Sequence, residues 1–389
     1  MDSDFYAATI RLDFHEHSRY IHDPLMTEWH DNPVDLNAET MLKEDSFGIT
    51  PLHYAFISPK APLPTELLSS DILTKKLSSG LTLLHIAAAT GKLNFLPDEF
   101  LTPENLSVQD DNGRTPIHIA VELAFLPKCG LTVKSLSVPD TDGNTPMHLC
   151  CYPEWIDKPL FPMVPASLIT PETMLTRNKQ GETPLHLLAH AEAFQYLPKG
   201  FLSPEMLLIS DNNGYTVCHH ALGASDFHFG LCGLERFPKE CLTAEVLLKK
   251  DNAGFPVLYY AAKIDLKYIP EEFKTEKFFL SDKYDGDTLF HIASIYVTVF
   301  DLPALLTVEN LLIKGREGKT PVEHIAQYVI RGQPQLFDKC LGLDFPESAK
   351  DHICSLPTGE EWWARNKEYI RSKNSLRVEG IQYERGEMF

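Results

Sequence analysis

The chain contains no run of eighteen apolar residues, so no segment has the length a membrane-spanning helix requires. Its eight cysteines (Cys129, Cys150, Cys151, Cys218, Cys232, Cys241, Cys340 and Cys354) are scattered, with no CxxC pair. That pattern speaks against a disulfide framework or a zinc ribbon and fits a reducing cytosol. The first residues, Met1-Asp2-Ser3-Asp4, are acidic and are followed by no signal-peptide core, so a cytoplasmic location is expected. Basic residues are scarce: 35 Lys and Arg face 54 Asp and Glu, a formal net charge of −19. Such a balance argues against direct binding to nucleic acid or to an anionic membrane, and it favours solubility or a basic partner. Phosphate-binding and catalytic signatures are also missing: there is no GxGxxG, P-loop, HExxH or GxSxG.

A block does recur, nine times: Asp-x-x-Gly-x-Thr-Pro-Leu-His-x-Ala. Its best copies are Asp110–Ala120, Asp45–Ala55, Asp140–Cys150 and Asn178–Leu188. The anchoring glycines are Gly48, Gly80, Gly113, Gly143, Gly181, Gly214, Gly254, Gly286 and Gly318. Most steps between them are 30 to 33 residues, and two are longer, 38 and 40. A fixed period of this length predicts a stacked solenoid, in which each unit packs on its neighbours.

Each position has a physical reason. Gly supplies the positive φ of a turn, and Asp three residues earlier bonds the turn backbone. Thr is an N-cap, and Pro fits the first helical position because its missing N–H is not needed there. Thr is kept in eight copies, Pro256 being the exception. The His five residues after Gly occurs seven times (His53, His85, His118, His148, His186, His219 and His291), with Tyr259 and Glu323 in the other two copies.

The block resembles the ankyrin repeat, over roughly Asp45 to Leu341. The resemblance implies an all-α helical-repeat solenoid with β-turn tips and polar caps at both ends. It also implies that the repeated His joins a hydrogen-bond ladder with Thr and the backbone of adjacent turns. The second half of the unit departs from the usual pattern. It reads Leu-Pro, then Leu-Thr-Pro-Glu-x-Leu, as in Leu96-Pro97 with Leu101–Leu106 and Leu197-Pro198 with Leu202–Leu207. Proline ends a helix, and Thr or Ser followed by Pro and Glu starts another. A second helix broken into a short turn plus a separate helix of one or two turns is therefore expected.

Three regions follow: an acidic N-terminal cap with a degenerate first repeat (1–44), the array (45–330), and C-terminal capping helices with a tail (331–389). Residues 1–44 carry ten acids and three bases. His15-Glu16-His17 lacks a third ligand at a recognised spacing, so no metal is expected there. The stretch Thr358–Arg371 reads as a capped helix with acids first and bases last. Trp362, Tyr369 and Ile370 share a face of it, and Leu376–Phe389 reads as a tail or added strand.

No catalytic, cofactor or metal residue is assigned. Cys218-His219-His220 has the look of a nucleophile beside a base. But His219 is the repeat His, and Cys218 occupies the core position of Leu52 and Ile117. A protein partner is expected at the repeat tips, the inner helix face or the inserted loops. The resemblance places Arg114, Asp142, Glu182, Tyr215, Phe255, Asp285 and Asp287 at tips, and Tyr152, Tyr296 and Tyr328 along the helices. The two long repeats add loops around Trp155–Pro165 and Ser225–Arg236, with Trp155, Phe161, Phe227 and Phe229. Aromatics the fold does not need are typical interface anchors. The resulting expectation is a non-enzymatic protein-binding scaffold. Alternatives are an acidic inhibitor of a basic, nucleic-acid-handling enzyme and a secreted bacterial effector.

Overall fold

The computed structural model describes residues 41, 50–57, 65–77, 80–151, 160–189, 194–223, 233–296, 298–330, 343, 350–355 and 359–378. The chain divides into two compact units, one carried by residues up to Ala221 and the other by residues from Gly233 onward.

Residues 110–122 show how the module forms. Gly113 has φ of +75°, and its N–H donates to the Asp110 carbonyl. The Asp110 carboxylate accepts from the backbone N–H groups of Asn112 and Arg114, which closes the turn. A Cβ at Gly113 would lie 2.8 Å from the Thr141 nitrogen of the following turn, so close stacking also requires glycine there. Thr115 then caps the helix Pro116–Glu122, whose residues Pro116 to Val121 are all buried. From the turn at Asp110 to the turn at Asp211 backbone bonds join successive turns: Thr141 donates to Asn112, Lys179 to Asp142 and Asn212 to Gln180.

The repeated histidines tie these levels together. His118 Nδ1 accepts from the Thr115 N–H at 2.9 Å and sits 2.8 Å from the Thr115 hydroxyl. Two donors on Nδ1 place the ring proton on Nε2, which donates to the Asn144 carbonyl of the next turn at 3.0 Å. The same bridge runs from His85 to Arg114, from His148 to Glu182 and from His186 to Ile209. In the second unit it runs from His291 to Ile313. Burial holds these rings neutral. It drives the pKa of His118 and His186 down to about 3 and that of His148 to about 4, against the opposing pull of the carbonyl each ring bonds.

The two blocks without the His show what the position needs. Glu323 substitutes directly: its carboxylate accepts from the Thr320 N–H and hydroxyl. Tyr259 occurs in the one block whose Thr is replaced by Pro256, which offers neither N–H nor hydroxyl to a ring nitrogen.

Between the main helices the chain makes only short turns. After the helix Leu83–Ala89 come 3₁₀ turns at Leu93–Phe95, Asp98–Phe100 and Asn105–Ser107. Further on, one-turn helices follow Thr or Ser caps at Val133–Leu136, Pro171–Met174, Pro204–Leu207, Ala244–Leu248 and Val308–Leu311. Pro171 and Pro204 hold the first position of two of these helices, where the missing N–H is not needed. Among the described residues the paired strands are Lys283–Tyr284 and Asp287–Thr288, two residues each and antiparallel.

Near the C-terminus a helix runs from Gly359 to Val378, past the expected end at Arg371 and into Leu376–Val378 of the expected tail. Among its described residues Gly359, Trp362, Trp363 and Asn366 are buried, and Asn366 donates to the Leu343 carbonyl. Tyr369 and Ile370, expected to share the covered face with Trp362, are only half-buried. The segments 1–40 and 379–389, and most of 331–349, lie outside the described residues.

Candidate interaction surface

Several residues expected at the tips are engaged by the fold. The Arg114 guanidinium pairs with Glu122 and is largely buried. Asp287 is buried, and its carboxylate accepts from the Arg316 N–H at 2.7 Å; it is a structural bond between turns, which corrects its assignment as a presented side chain. Asp142 and Asp285 are exposed, and each faces a base, Lys179 at 3.6 Å and Arg316 at 2.5 Å. Glu182 is half-buried, with its carboxylate receiving the Asn178 amide. Tyr215 packs against the rings of His219 and His220. The Phe161 side chain, expected in an inserted loop, is core, at the start of the turn Phe161–Met163. Cys218 is likewise core, and His219 bonds Thr216. Tyr152, Trp155, Phe227 and Phe229 lie outside the described residues, as does the side chain of Tyr328 on the helix Pro321–Ile330.

Phe255 and Tyr296 belong to an aromatic group in the second unit. Phe255 stacks on Tyr259 with centroids 4.4 Å apart, and Tyr284 and Tyr260 close around them. The Lys263 ammonium lies over three rings, Tyr259, Tyr260 and Tyr296, at 5.4 to 5.9 Å. Among the described residues Tyr296 is the most open of the expected aromatic anchors, 46% exposed. The partners Tyr260 and Tyr284 were not singled out from sequence. The signal for them was the paired loss of Thr and His at Pro256 and Tyr259.

A second feature escaped the sequence reading altogether. Among the described residues of the first unit, the large apolar side chains left exposed are Phe95 (76%), Met163 (61%) and Tyr196 (47%). All three occupy one position of the repeat. Each ends a 3₁₀ turn (Leu93–Phe95, Phe161–Met163, Phe194–Tyr196) directly before Leu-Pro or Val-Pro. Phe125, before Leu126-Pro127, holds the same place in the intervening repeat and is half-buried. The next residue turns inward, as Leu96 and Val164 do, so the register of the turn points the preceding side chain outward. Neighbouring turns touch here: the Asn94 amide donates to the Leu126 carbonyl, and its oxygen accepts from the Lys128 N–H. The stacking thus sets large apolar groups in a row.

No family model matches the chain, and no curated protein matches it. Among solved structures it is similar to the ankyrin repeat domain of Bcl-3, described as a unique member of the IkappaB protein family. The identity is 18%, with 54% of this chain and 93% of that one covered, and the TM-score is 0.34. A score that low decides nothing, and the repeat architecture stands on the chain's own turns, caps and histidine bridges.

Proposed function

We propose that the protein is a non-enzymatic scaffold of ankyrin-like repeats that binds a partner protein. The observation that carries this reading is the row Phe95, Met163 and Tyr196, exposed at equivalent repeat positions where the fold gains nothing from them. Large apolar side chains in contiguous exposed rows mark interaction sites on soluble proteins, and aromatic anchors dominate interface energetics. The aromatic group around Tyr296 is a second contact of the same kind. The exposed tip acids Asp142 and Asp285 face bases, which favours an apolar contact over an acidic surface that mimics nucleic acid. The free cysteines, among them the buried Cys150 and Cys151, suit a reducing compartment, and we place the protein in the cytosol.

Affinity capture of tagged protein from its own cells, washed at low and at high salt, tests this. A partner that survives high salt and is lost from the triple variant Phe95→Ser, Met163→Ser, Tyr196→Ser supports the scaffold reading. Basic partners that all leave at high salt, with the triple variant behaving as wild type, would replace it with the acidic-inhibitor reading.

A further inference from the structure

Two carboxylates and an imidazole converge in the first unit. Glu182, Asp211 and His220 come from three places in the sequence, and their ligand atoms all lie within 4.8 Å of one another. His220 and Asp211 are buried, with side chains 1% and 3% exposed, and Glu182 is half-buried beside them. The His220 Nε2 is 3.0 Å from Asp211 Oδ2, which is already close to the separation of two ligands on one small cation.

The surroundings orient all three groups. Asp211 Oδ1 is used up by the backbone N–H groups of Asn213 and Tyr215, which leaves Oδ2 facing His220 and Glu182. The Asn178 amide donates to Glu182 Oε2. The rings of His186 and Tyr215 stand edge-on to the His220 ring, 5.1 and 6.1 Å away, and fix its plane. His186 is not a fourth ligand, because its Nδ1 faces Thr183 and its Nε2 bonds the Ile209 carbonyl. Among the described residues neither Glu182 nor Asp211 forms an ion pair with a Lys or Arg, so two carboxylates meet there with only an imidazole between them.

The molecule contains its own control. In the second unit Tyr260 stands at the repeat position of His220, and its hydroxyl donates to Asp251 Oδ2 at 2.6 Å, just as His220 meets Asp211. A bond from this position to the turn Asp is therefore available to the fold without a nitrogen ligand. The other repeats place Tyr54, Ile86, Ile119, Leu149, Leu187, Ile292 and His324 there. His324 belongs to the repeat whose turn Asp is replaced by Gly315, so among the described residues it is at Asp211 that a turn carboxylate, an imidazole and a second carboxylate come together. The sequence reading, which expected no metal, had no spacing to work from: the three residues are 29 and 9 positions apart and meet only through stacking of adjacent turns.

We infer that Glu182, Asp211 and His220 form a binding site for one divalent transition-metal ion, with zinc the best fit to one imidazole nitrogen and two carboxylate oxygens. Zinc accepts three protein ligands with water in the fourth place, and the hydrogen bonds to the outer atoms of Asp211 and Glu182 are the kind that orient metal ligands. Binding needs a rotamer adjustment of Glu182, the one ligand with room to move. The ion would tie the turn 178–182 to the turn 211–215.

The test uses the full chain stripped with EDTA and titrated with zinc by calorimetry, and with cobalt by visible absorption. Wild type is expected to bind one equivalent of zinc and to show the bands of a four-coordinate cobalt site. Two variants hold the fold: His220→Tyr copies the native Tyr260–Asp251 pair, and Glu182→Gln changes a half-exposed side chain. His220→Tyr should abolish the stoichiometric site, and Glu182→Gln should weaken it at least about tenfold. If wild type takes up no equivalent of zinc, or if both variants bind it as wild type does while melting at the same temperature, the proposal is wrong.

Discussion

The two units solve the same packing problem with different side chains. In the first, Thr and His recur without interruption, and His85, His118, His148 and His186 each bridge to the next turn. In the second, the series reads Tyr259, His291 and Glu323, and His291 makes the bridge. The exposed apolar groups differ too. The first unit carries Phe95, Met163 and Tyr196 before Leu-Pro or Val-Pro, while the second has Arg236, Tyr268 and Asp301 in that place. Its aromatic side chains cluster around Tyr259 instead. The lesson is that the capping bonds are one shared requirement, met by His, by Glu, or abandoned together with Thr. The positions outside that requirement are where each unit acquires its own surface.

Acid should separate the units most. The ladder histidines have folded pKa values far below the unfolded value near 6.5, because burial disfavours the charged ring. The folded state therefore stays unprotonated while the unfolded chain takes up protons. The stability contributed by these rings is complete above about pH 6.5 and is lost as pH falls from there toward about 4 and then 3. Each ring costs the fold about 1.4 kcal/mol per pH unit inside that window, so His118, His148 and His186 together remove on the order of 5 kcal/mol by pH 5. In the second unit only His291 acts this way on the ladder. Hydrogen exchange followed by segment from pH 7 to 5 should show protection falling first in 110–189. Equal loss in 251–320 would mean the ladder is not the acid-sensitive element.

Single removals come next. His118→Ala takes away the acceptor for Thr115 and the donor to the Asn144 carbonyl, all in buried surroundings. Unsatisfied buried groups and the cavity together should cost about 3 kcal/mol, read from urea unfolding. Glu323→Ala removes one acceptor at a less buried site and should cost about 1 kcal/mol.

The contrast can also be erased. Tyr259→His alone puts a ring nitrogen opposite Pro256, which has no proton to offer, and breaks the stack with Phe255. Pro256→Thr alone supplies donors with no acceptor. The double variant restores the pair found in the first unit. A double-mutant cycle should therefore show favourable coupling of about 1–2 kcal/mol. Additive effects would mean that Pro256 and Tyr259 were lost independently.

Much of this was legible from residue types alone, because the turn, the cap and the ladder are local. Asp110, Gly113, Thr115 and His118 lie within nine residues, and each one's partner is fixed by that spacing. The broken second half was legible for the same reason, since proline acts on its own turn. The tip assignments fared unevenly, because exposure depends on the neighbouring turn: Asp287 is consumed by Arg316, and Arg114 by Glu122. The apolar row was invisible for a subtler reason. Phe95 and Leu96 are both apolar, and hydropathy cannot tell which of two adjacent residues a 3₁₀ turn points inward. The convergence of Glu182, Asp211 and His220 needed the stacking itself.

The smallest expected effect on stability is the one with the most to say about function. Replacing Phe95, Met163 and Tyr196 with Ser removes exposed side chains, so urea unfolding should move by less than about 0.5 kcal/mol per site, with Tyr196, the least exposed, moving most. The corresponding change inside the turn, Leu96→Ser, strikes a fully buried side chain and should cost several-fold more. Adjacent residues of one turn would then divide cleanly, one holding the fold and one held out by it. Transplanting the row sharpens the comparison further. Arg236→Phe with Asp301→Phe gives the second unit the first unit's pattern at the same place before Phe237-Pro238 and Leu302-Pro303. If the row is the partner's contact, the transplant should leave folding unchanged and add nothing to binding when the native row is intact. It should recover part of the binding when the native row has been cut to Ser. Recovery would show that the spacing of apolar groups along the stack is what the partner reads. No recovery, with the triple variant still unable to bind, would mean the partner reads features particular to the first unit.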